Sequence, residues 1–474
     1  AEPTPTPEPV AGEGEVFVSR VTAGRGEVRD ASGQVWSPRS TGFGGWGNAT
    51  AGSVSGTSDP ELYRHTAPWI KWYRLDVPAA AEYQVRLLFA EPWYDQVGRR
   101  VFDVAAEGQT VVSGLDIVKE VGRGAAHEVT FTVPVTDGRL DLEFTASAES
   151  PVLSAVEVMS TTPVAPQEPV KPLVTIAPDS FFTEDISRAP LAHNSAEAAE
   201  NLRRQVADNW GGVAAFNAYQ YNNSFHAVSS SVPKQTVQFY DCQKKGYLPS
   251  GLLDGPKYFA DVPIPAGAVP ANGTDKQMTI YDESADQLWD FWVTERHGDG
   301  WRACWGGRLD DVSKNHGVFP APYGATASGL AMTPGAISQE SFRRGSIDHA
   351  MYLAIISPAN YDKVSWPANR SDGWSHDPHA LMEGQRVRLD PTLDLSQFDM
   401  TPVARMVAEA AQTYGFIVAD KAGAVAVITE SGDTEKARTG TNPWDSMLAG
   451  PAHEAMRGFP WEHMQVLPKD YGKR

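Results

Sequence analysis

The sequence predicts a mainly β protein built as two units, an N-terminal β-sandwich followed by a C-terminal jelly-roll-like β-sandwich with a few helices. Three observations predict it. The 42 Gly and 35 Pro of the 474-residue chain, with abundant Trp and Tyr, describe short strands joined by many turns. Apolar and polar residues alternate along Tyr83, Val85, Leu87 and Phe89, the period of a half-buried strand. Two Pro-rich tracts, Ala1–Val10 and Thr161–Pro172, cannot build a core and read as linkers. The predicted organisation is therefore a linker over 1–14, a first domain over 15–160, a second linker over 161–173 and a second domain over 174–474.

The strand Tyr83–Phe89 runs into Glu91-Pro-Trp93-Tyr94, a loop with two adjacent aromatic residues. Such rings at the rim of a sheet suit sugar, because the C–H face of a pyranose stacks on an indole or phenol while its hydroxyls find polar partners. The order of Asp30-x-x-Gly33-x-x-Trp36, Leu62-Tyr63-Arg64, Phe89-Ala-Glu91, Arg100-Val-Phe-Asp-Val104, Leu115-Asp116 and Val156-Glu157-Val158 resembles that of malectin-like domains, over roughly Glu15 to Met159. The resemblance implies a β-sandwich carbohydrate-binding module with its site on loops at one end. Carried over by position, it implies substrate contacts from Trp93, Tyr94, Tyr63 and Glu149, and from an earlier aromatic that is either Phe43 or Trp46. Two positions depart from the family pattern, which has Tyr-Phe where Trp93-Tyr94 stand and Asp where Glu149 stands. The preferred sugar is thus not carried over with the site.

In the second domain, Ser195–Ala207 reads as a helix with Ser195 as its N-cap. Strands are expected over 214–221, 236–240, 277–281, 287–294 and 301–306, with Gly298-Asp-Gly300 turning a hairpin between the last two. Helices are expected near 347–355 and over 402–414, where Val403, Met406, Val407 and Ala410 make one apolar face.

The formal charge of −19 excludes the basic footprint that nucleic acid requires, and equally an anionic membrane surface. No apolar run approaches the 18 residues or so of a membrane span. Cys242 and Cys304 are compatible with one disulfide or with buried thiols. A Pro/Thr-rich start without an initiator Met has the look of a mature secreted chain.

No Gly-x-Ser-x-Gly elbow, phosphate loop or dinucleotide motif is present. The only close His pair, His376 and His379, lies in a Pro-containing segment, so neither a metal nor another cofactor is expected. Carboxylates remain as the source of chemistry. A glycoside hydrolase needs one to protonate the leaving oxygen and one to act as base or nucleophile. Asp290 alternates onto the same side of its strand as Trp292, and Asp275 and Glu295 lie nearby in sequence. Asp372, between Arg370 and Gly373, and His349, expected near the start of an apolar helix, complete the catalytic candidates. Trp292 and Trp305 are the candidate sugar platforms.

The expected function is a secreted polysaccharide-degrading enzyme, a glycoside hydrolase with an appended binding module. A polysaccharide lyase using His349 with Tyr219 or Tyr221, and cations Arg302, Arg308 and Arg370, is the alternative enzyme. A non-catalytic glycan-binding protein is the alternative outside enzymes. The expected partner in each case is a polysaccharide or oligosaccharide.

Overall fold

The computed structural model describes residues 16–39, 42–45, 48–78, 81–136, 138–163, 173–229, 231–448 and 450–473. The chain divides into two compact units, Ala1–Pro169 and Val170–Arg474. Mainly β structure fills both.

In the first unit, the strands Val18–Thr22, Ala155–Ser160, Ala81–Phe89 and His127–Val135 form one antiparallel sheet, in that order. A second antiparallel sheet orders Gln109–Leu115, Val101–Ala106, Arg139–Ala148, Trp72–Asp76 and Phe43–Gly44. Val85, Leu87, Phe89, Val156 and Val158 from the first sheet share one core with Phe102, Val104, Leu140 and Leu142 from the second. Each such side chain, fully buried, is worth about 1.5–3 kcal/mol of transfer free energy. Leu88 points the other way along its strand, yet it is buried as well, under Trp36, Leu62 and Tyr63.

Several motif residues have structural work. The Asp30 carboxylate accepts from the amides of Ser32 and Gln34 and from Trp36 Nε1, closing a turn in which Gly33 takes a φ of 83°. Asp116 caps the short helix Ile117–Val121 by accepting from the Lys119 amide. Gly44 is required where the Trp72 indole lies against the backbone, since a Cβ there would sit 2.0 Å from a ring carbon.

The second unit is organised on a six-stranded sheet in the order Ala215–Asn217, Ala426–Ile428, Met351–Ile355, Phe416–Lys421, Arg386–Leu389 and Met464–Val466. The helices Ser195–Ala207 and Pro402–Thr413 pack into its core. Thr401 caps the latter through the Ala404 amide at 3.0 Å, Pro402 occupies its first turn, and Val403, Met406, Val407 and Ala410 are buried. Ser195 begins its helix without capping it; its Oγ accepts from the Val466 amide at 2.8 Å and so ties the helix to the last strand.

A four-stranded sheet orders Ser224–Val228, Met278–Asp282, Gln287–Trp292 and Trp305–Asp310, and a three-stranded one Val237–Phe239, Gly300–Ala303 and Glu295–His297. Four pairings among the described strands of this unit are parallel, including Met351–Ile355 with Phe416–Lys421. Alternation along single strands does not encode that mixture. The Gly298-Asp-Gly300 turn does make a hairpin, but between Glu295–His297 and Gly300–Ala303, while Gln287–Trp292 pairs with Trp305–Asp310.

The helix expected near 347–355 is instead the central strand Met351–Ile355, every residue of which is buried. A short apolar run rich in Ile, Leu and Tyr fits a strand covered on both faces as well as it fits a buried helix. Cys242 and Cys304 are joined as a disulfide with 5.5 Å between Cα atoms. Among the described residues no helix is long and apolar enough to cross a membrane.

Candidate functional site

Two places in the molecule gather the residues singled out by the sequence, one in each unit.

In the first unit, the Glu91 carboxylate organises the aromatic loop. It accepts from the amides of Trp93 and Tyr94 at 3.0 and 3.1 Å and pairs with Arg100 at 2.6 Å, both charged side chains being almost fully buried. Arg100 then stacks near the rings of Trp93 and Tyr94, at 5.5 and 5.2 Å, and donates to the carbonyl of Ser150. That last bond brings Glu149, exposed with a φ of 54°, to the same end of the sandwich as the loop. Trp93 is 41% exposed and Trp69, which the sequence reading missed, is 49% exposed with its ring centroid 6.1 Å from that of Trp93.

The other two aromatic positions do not join them. Tyr63 is buried and donates its hydroxyl to Glu128; burial, reinforced by that bond, raises its pKa. Its ring is therefore closed to a ligand, because it packs beneath Leu88 rather than facing out. Phe43 is a core residue set edge-on to Tyr73, and Trp46 lies outside the described residues.

In the second unit, acids gather where the central strand Phe416–Lys421 ends. Asp420 stands there, opposite Ala354 of the neighbouring strand. Its carboxylate accepts from the Lys421 amide at 2.9 Å. Burial, and then the charges of Asp372 and Asp275, push its pKa up to about 7. Glu383 follows buried Leu381 and half-buried Met382 and is itself fully buried. Burial, Asp420 and Asp372 drive its pKa up to about 10. Asp372 is exposed and pairs with Lys421 Nζ at 3.0 Å. One oxygen from each of Asp372, Glu383 and Asp420 lies within 4.8 Å of the others.

Asp275, half-buried, accepts from Trp292 Nε1 at 3.1 Å. The next residue after Trp292, Val293, has a φ of 51° and bonds its amide to the Asp275 carbonyl at 2.6 Å. A β-branched residue in the left-handed region is strained, and such strain concentrates at functional sites. Arg370 lies beside the acids, but its guanidinium donates to the carbonyls of Pro322, Tyr323, Gly324, Thr326 and Ala327, pinning that loop. Trp374, two residues beyond Asp372, is 56% exposed and fixes its indole N–H on the Ile356 carbonyl.

The remaining candidates stand elsewhere or are otherwise engaged. Asp290 is buried, not in a cleft: its carboxylate accepts from Thr279 Oγ1 at 2.5 Å and the Met332 amide at 2.9 Å, and burial pushes its pKa up to about 6. The strand is covered on both faces, so alternation placed Asp290 on a second interior. Glu295 forms a surface ion-pair network with Lys276 at 2.9 Å and Arg302 at 2.5 Å, and those bonds, Lys276 first, hold its pKa low. His349 is not in a helix; it precedes the strand Met351–Ile355, bonds through Nδ1 to the Ala350 carbonyl, and has its pKa lowered by burial. It stands at the start of the parallel pair whose far end carries Asp420, roughly 16 Å along the strand at 3.3 Å per residue. Trp305 stacks on Tyr323 with planes 2° apart and bonds the Pro322 carbonyl.

Glu383 and Asp420 were missed by sequence reasoning. The available signal was an acid closing an apolar run, in Phe416-Ile-Val-Ala-Asp420 and in Leu381-Met-Glu383.

Comparison with known proteins adds to the first unit. The family model described as Malectin domain matches residues 18–159. Malectin-B of Xenopus laevis is 34% identical over 71 residues, covering 15% of this chain and 26% of that protein. Malectin of Homo sapiens is 32% identical over 71 residues, covering 15% and 24%. The chain thus spans about a quarter of the length of these relatives. Among solved structures, a Bacteroides uniformis beta-glucuronidase shares 21% identity at a TM-score of 0.27, over 30% of this chain and 18% of that one. The ANX1 ectodomain of Arabidopsis thaliana shares 14% at 0.29, over 32% and 51%. Residues 18–159 of this chain are a malectin domain.

Proposed function

We propose that this is a secreted polysaccharide-degrading enzyme, a glycoside hydrolase whose malectin domain grips the glycan that its second unit cleaves. The binding half rests on the malectin domain, which is a carbohydrate-binding module. Trp69 and Trp93 offer their rings to solvent at the end of the sandwich where Arg100 also holds Ser150, the neighbour of Glu149, as stacking on a pyranose with polar contacts at its edge requires.

The single observation that carries the catalytic half is the gathering of Asp372, Glu383 and Asp420, with oxygens within 4.8 Å of one another, at a strand end where the charge of Asp275 also reaches Asp420. Asp275 and Asp372, nearly a hundred positions apart in the sequence, thus both lie within electrostatic reach of Asp420. Both are partly open to solvent, as a pair working on a glycosidic bond must be. Trp292, bonded to Asp275, and exposed Trp374, close to Asp372, supply aromatic surface beside them. The Cys242–Cys304 disulfide supports a place outside the cell, where such bonds persist.

The test is chromatographic detection of oligosaccharides released from polysaccharides by wild type, Asp275→Asn and Asp372→Asn. Loss of products in both variants, with binding to the same polysaccharide retained, is the expected result. Full activity in either variant would remove that residue from the pair.

A further inference from the structure

We propose that Asp372, Glu383 and Asp420 bind a divalent cation of calcium size. Calcium bonds oxygen at 2.3–2.6 Å, so two ligand oxygens on opposite sides of one ion stand about 4.8 Å apart. The ligand oxygens of these three residues all lie within 4.8 Å of one another, and a single ion between them reaches all three.

An independent observation points the same way. Glu383 is 0% exposed, and neither of its carboxylate oxygens has a hydrogen-bond partner of good geometry among the described residues, although the amide and carboxyl of Asp372 come close enough to act on its charge. A buried carboxylate is expected to find donors or a counter-ion. Its neighbours at the cluster are two more carboxyl groups. The cations nearby are engaged: Arg370 donates to the carbonyls of the 322–327 loop, and Lys421 Nζ bonds Asp372 Oδ2 and the Asp372 carbonyl. A bound cation supplies the missing partner for both oxygens of Glu383 or for one of them alongside a water.

The donor set selects the class of ion. Three carboxylates without imidazole or thiolate favour a hard cation over zinc or copper. Asp372 is exposed, which gives the ion a route in and leaves coordination positions for water or for sugar hydroxyls. The ion would also clip together three segments: the end of the strand Phe416–Lys421, the loop carrying Asp372, and the backbone at Glu383, which is bridged to Ser365 at 3.0 Å. No sequence motif announces this site, because its ligands are spread from 372 to 420.

The site goes beyond the hydrolase reading and does not depend on it, so its test reads binding rather than turnover. The full chain, stripped with EDTA, is titrated with CaCl2 and with MgCl2 by calorimetry and thermal unfolding. The expected result is one calcium equivalent bound, calcium preferred to magnesium, and a higher unfolding temperature with calcium. Glu383→Gln and Asp420→Asn should each weaken calcium binding at least tenfold. Glu383→Gln removes a buried acid, so its metal-free form should unfold no earlier than wild type, which separates a lost ligand from a lost fold. Absence of calcium binding at millimolar concentration would overturn the proposal. So would wild-type affinity in both variants.

Discussion

The Glu91→Gln substitution should do more damage than any other single change of a polar atom in the malectin domain. Glu91 and Arg100 are paired at 2.6 Å with side chains 1% and 2% exposed. Removing one charge of a buried pair costs about 3–5 kcal/mol, because the other charge is left without its partner in a poorly solvating interior. For a domain of this size a kcal/mol is worth about 3 °C, so the unfolding temperature of the first unit should fall by roughly 10–15 °C. The loss should reach the loop as well, since the same carboxylate holds the amides of Trp93 and Tyr94. The assay is scanning calorimetry of the full chain, with glycan affinity measured on the same samples below the transition. The double variant Glu91→Gln/Arg100→Met removes both charges and should recover most of the stability while the loop remains loosened. A cost below about 1 kcal/mol for Glu91→Gln, or a double variant less stable than the single one, would refute this reasoning.

Three further outcomes follow from the second unit. The Cys242–Cys304 disulfide closes a loop spanning 62 positions, and its replacement by serines should cost about 4 kcal/mol in urea unfolding through the freed chain entropy. Burial lowers the pKa of His226 to about 4; the folded state therefore resists a proton that the unfolded chain accepts below about 6.5. Stability should accordingly fall by about 3 kcal/mol as pH drops from 6.5 to 4, and His226→Gln should flatten that part of the profile. Asp290 has its pKa raised to about 6, so its ionisation opposes folding as pH rises from about 4 through 6. An asparagine there can accept from the Met332 amide and donate to Thr279 Oγ1, which can in turn donate to Asn223. Asp290→Asn should thus be at least as stable as wild type at pH 8 and keep its activity, whereas loss of turnover with an intact fold would return Asp290 to the catalytic candidates.

The N-terminal sandwich was legible because its information is local. Period-two alternation set the strand Ala81–Phe89, and the order of short motifs located the family; those motifs prove to be turn closures, caps and the Glu91–Arg100 scaffold as much as ligand contacts. Tyr63 shows the limit: its position in a motif gave no sign that its ring lies under Leu88.

In the second unit the helix Pro402–Thr413 was legible from its apolar face and its proline start. The strand Met351–Ile355 was not, since a fully buried run of five apolar residues has no period to read. The acid cluster was only half visible for a related reason. Asp275 and Asp372 sit among polar and turn residues and draw attention, whereas Glu383 and Asp420 end apolar runs, and only parallel pairing and loop return bring them beside Asp372.

The most direct test of the central claim is release of reducing ends, read together with absorbance near 235 nm, from plant, fungal and bacterial polysaccharides by the intact chain. The account predicts new reducing ends without new absorbance, abolished in Asp372→Asn and undiminished in His349→Ala. New absorbance lost with His349, or no cleavage of a polysaccharide that the chain binds, would contradict it.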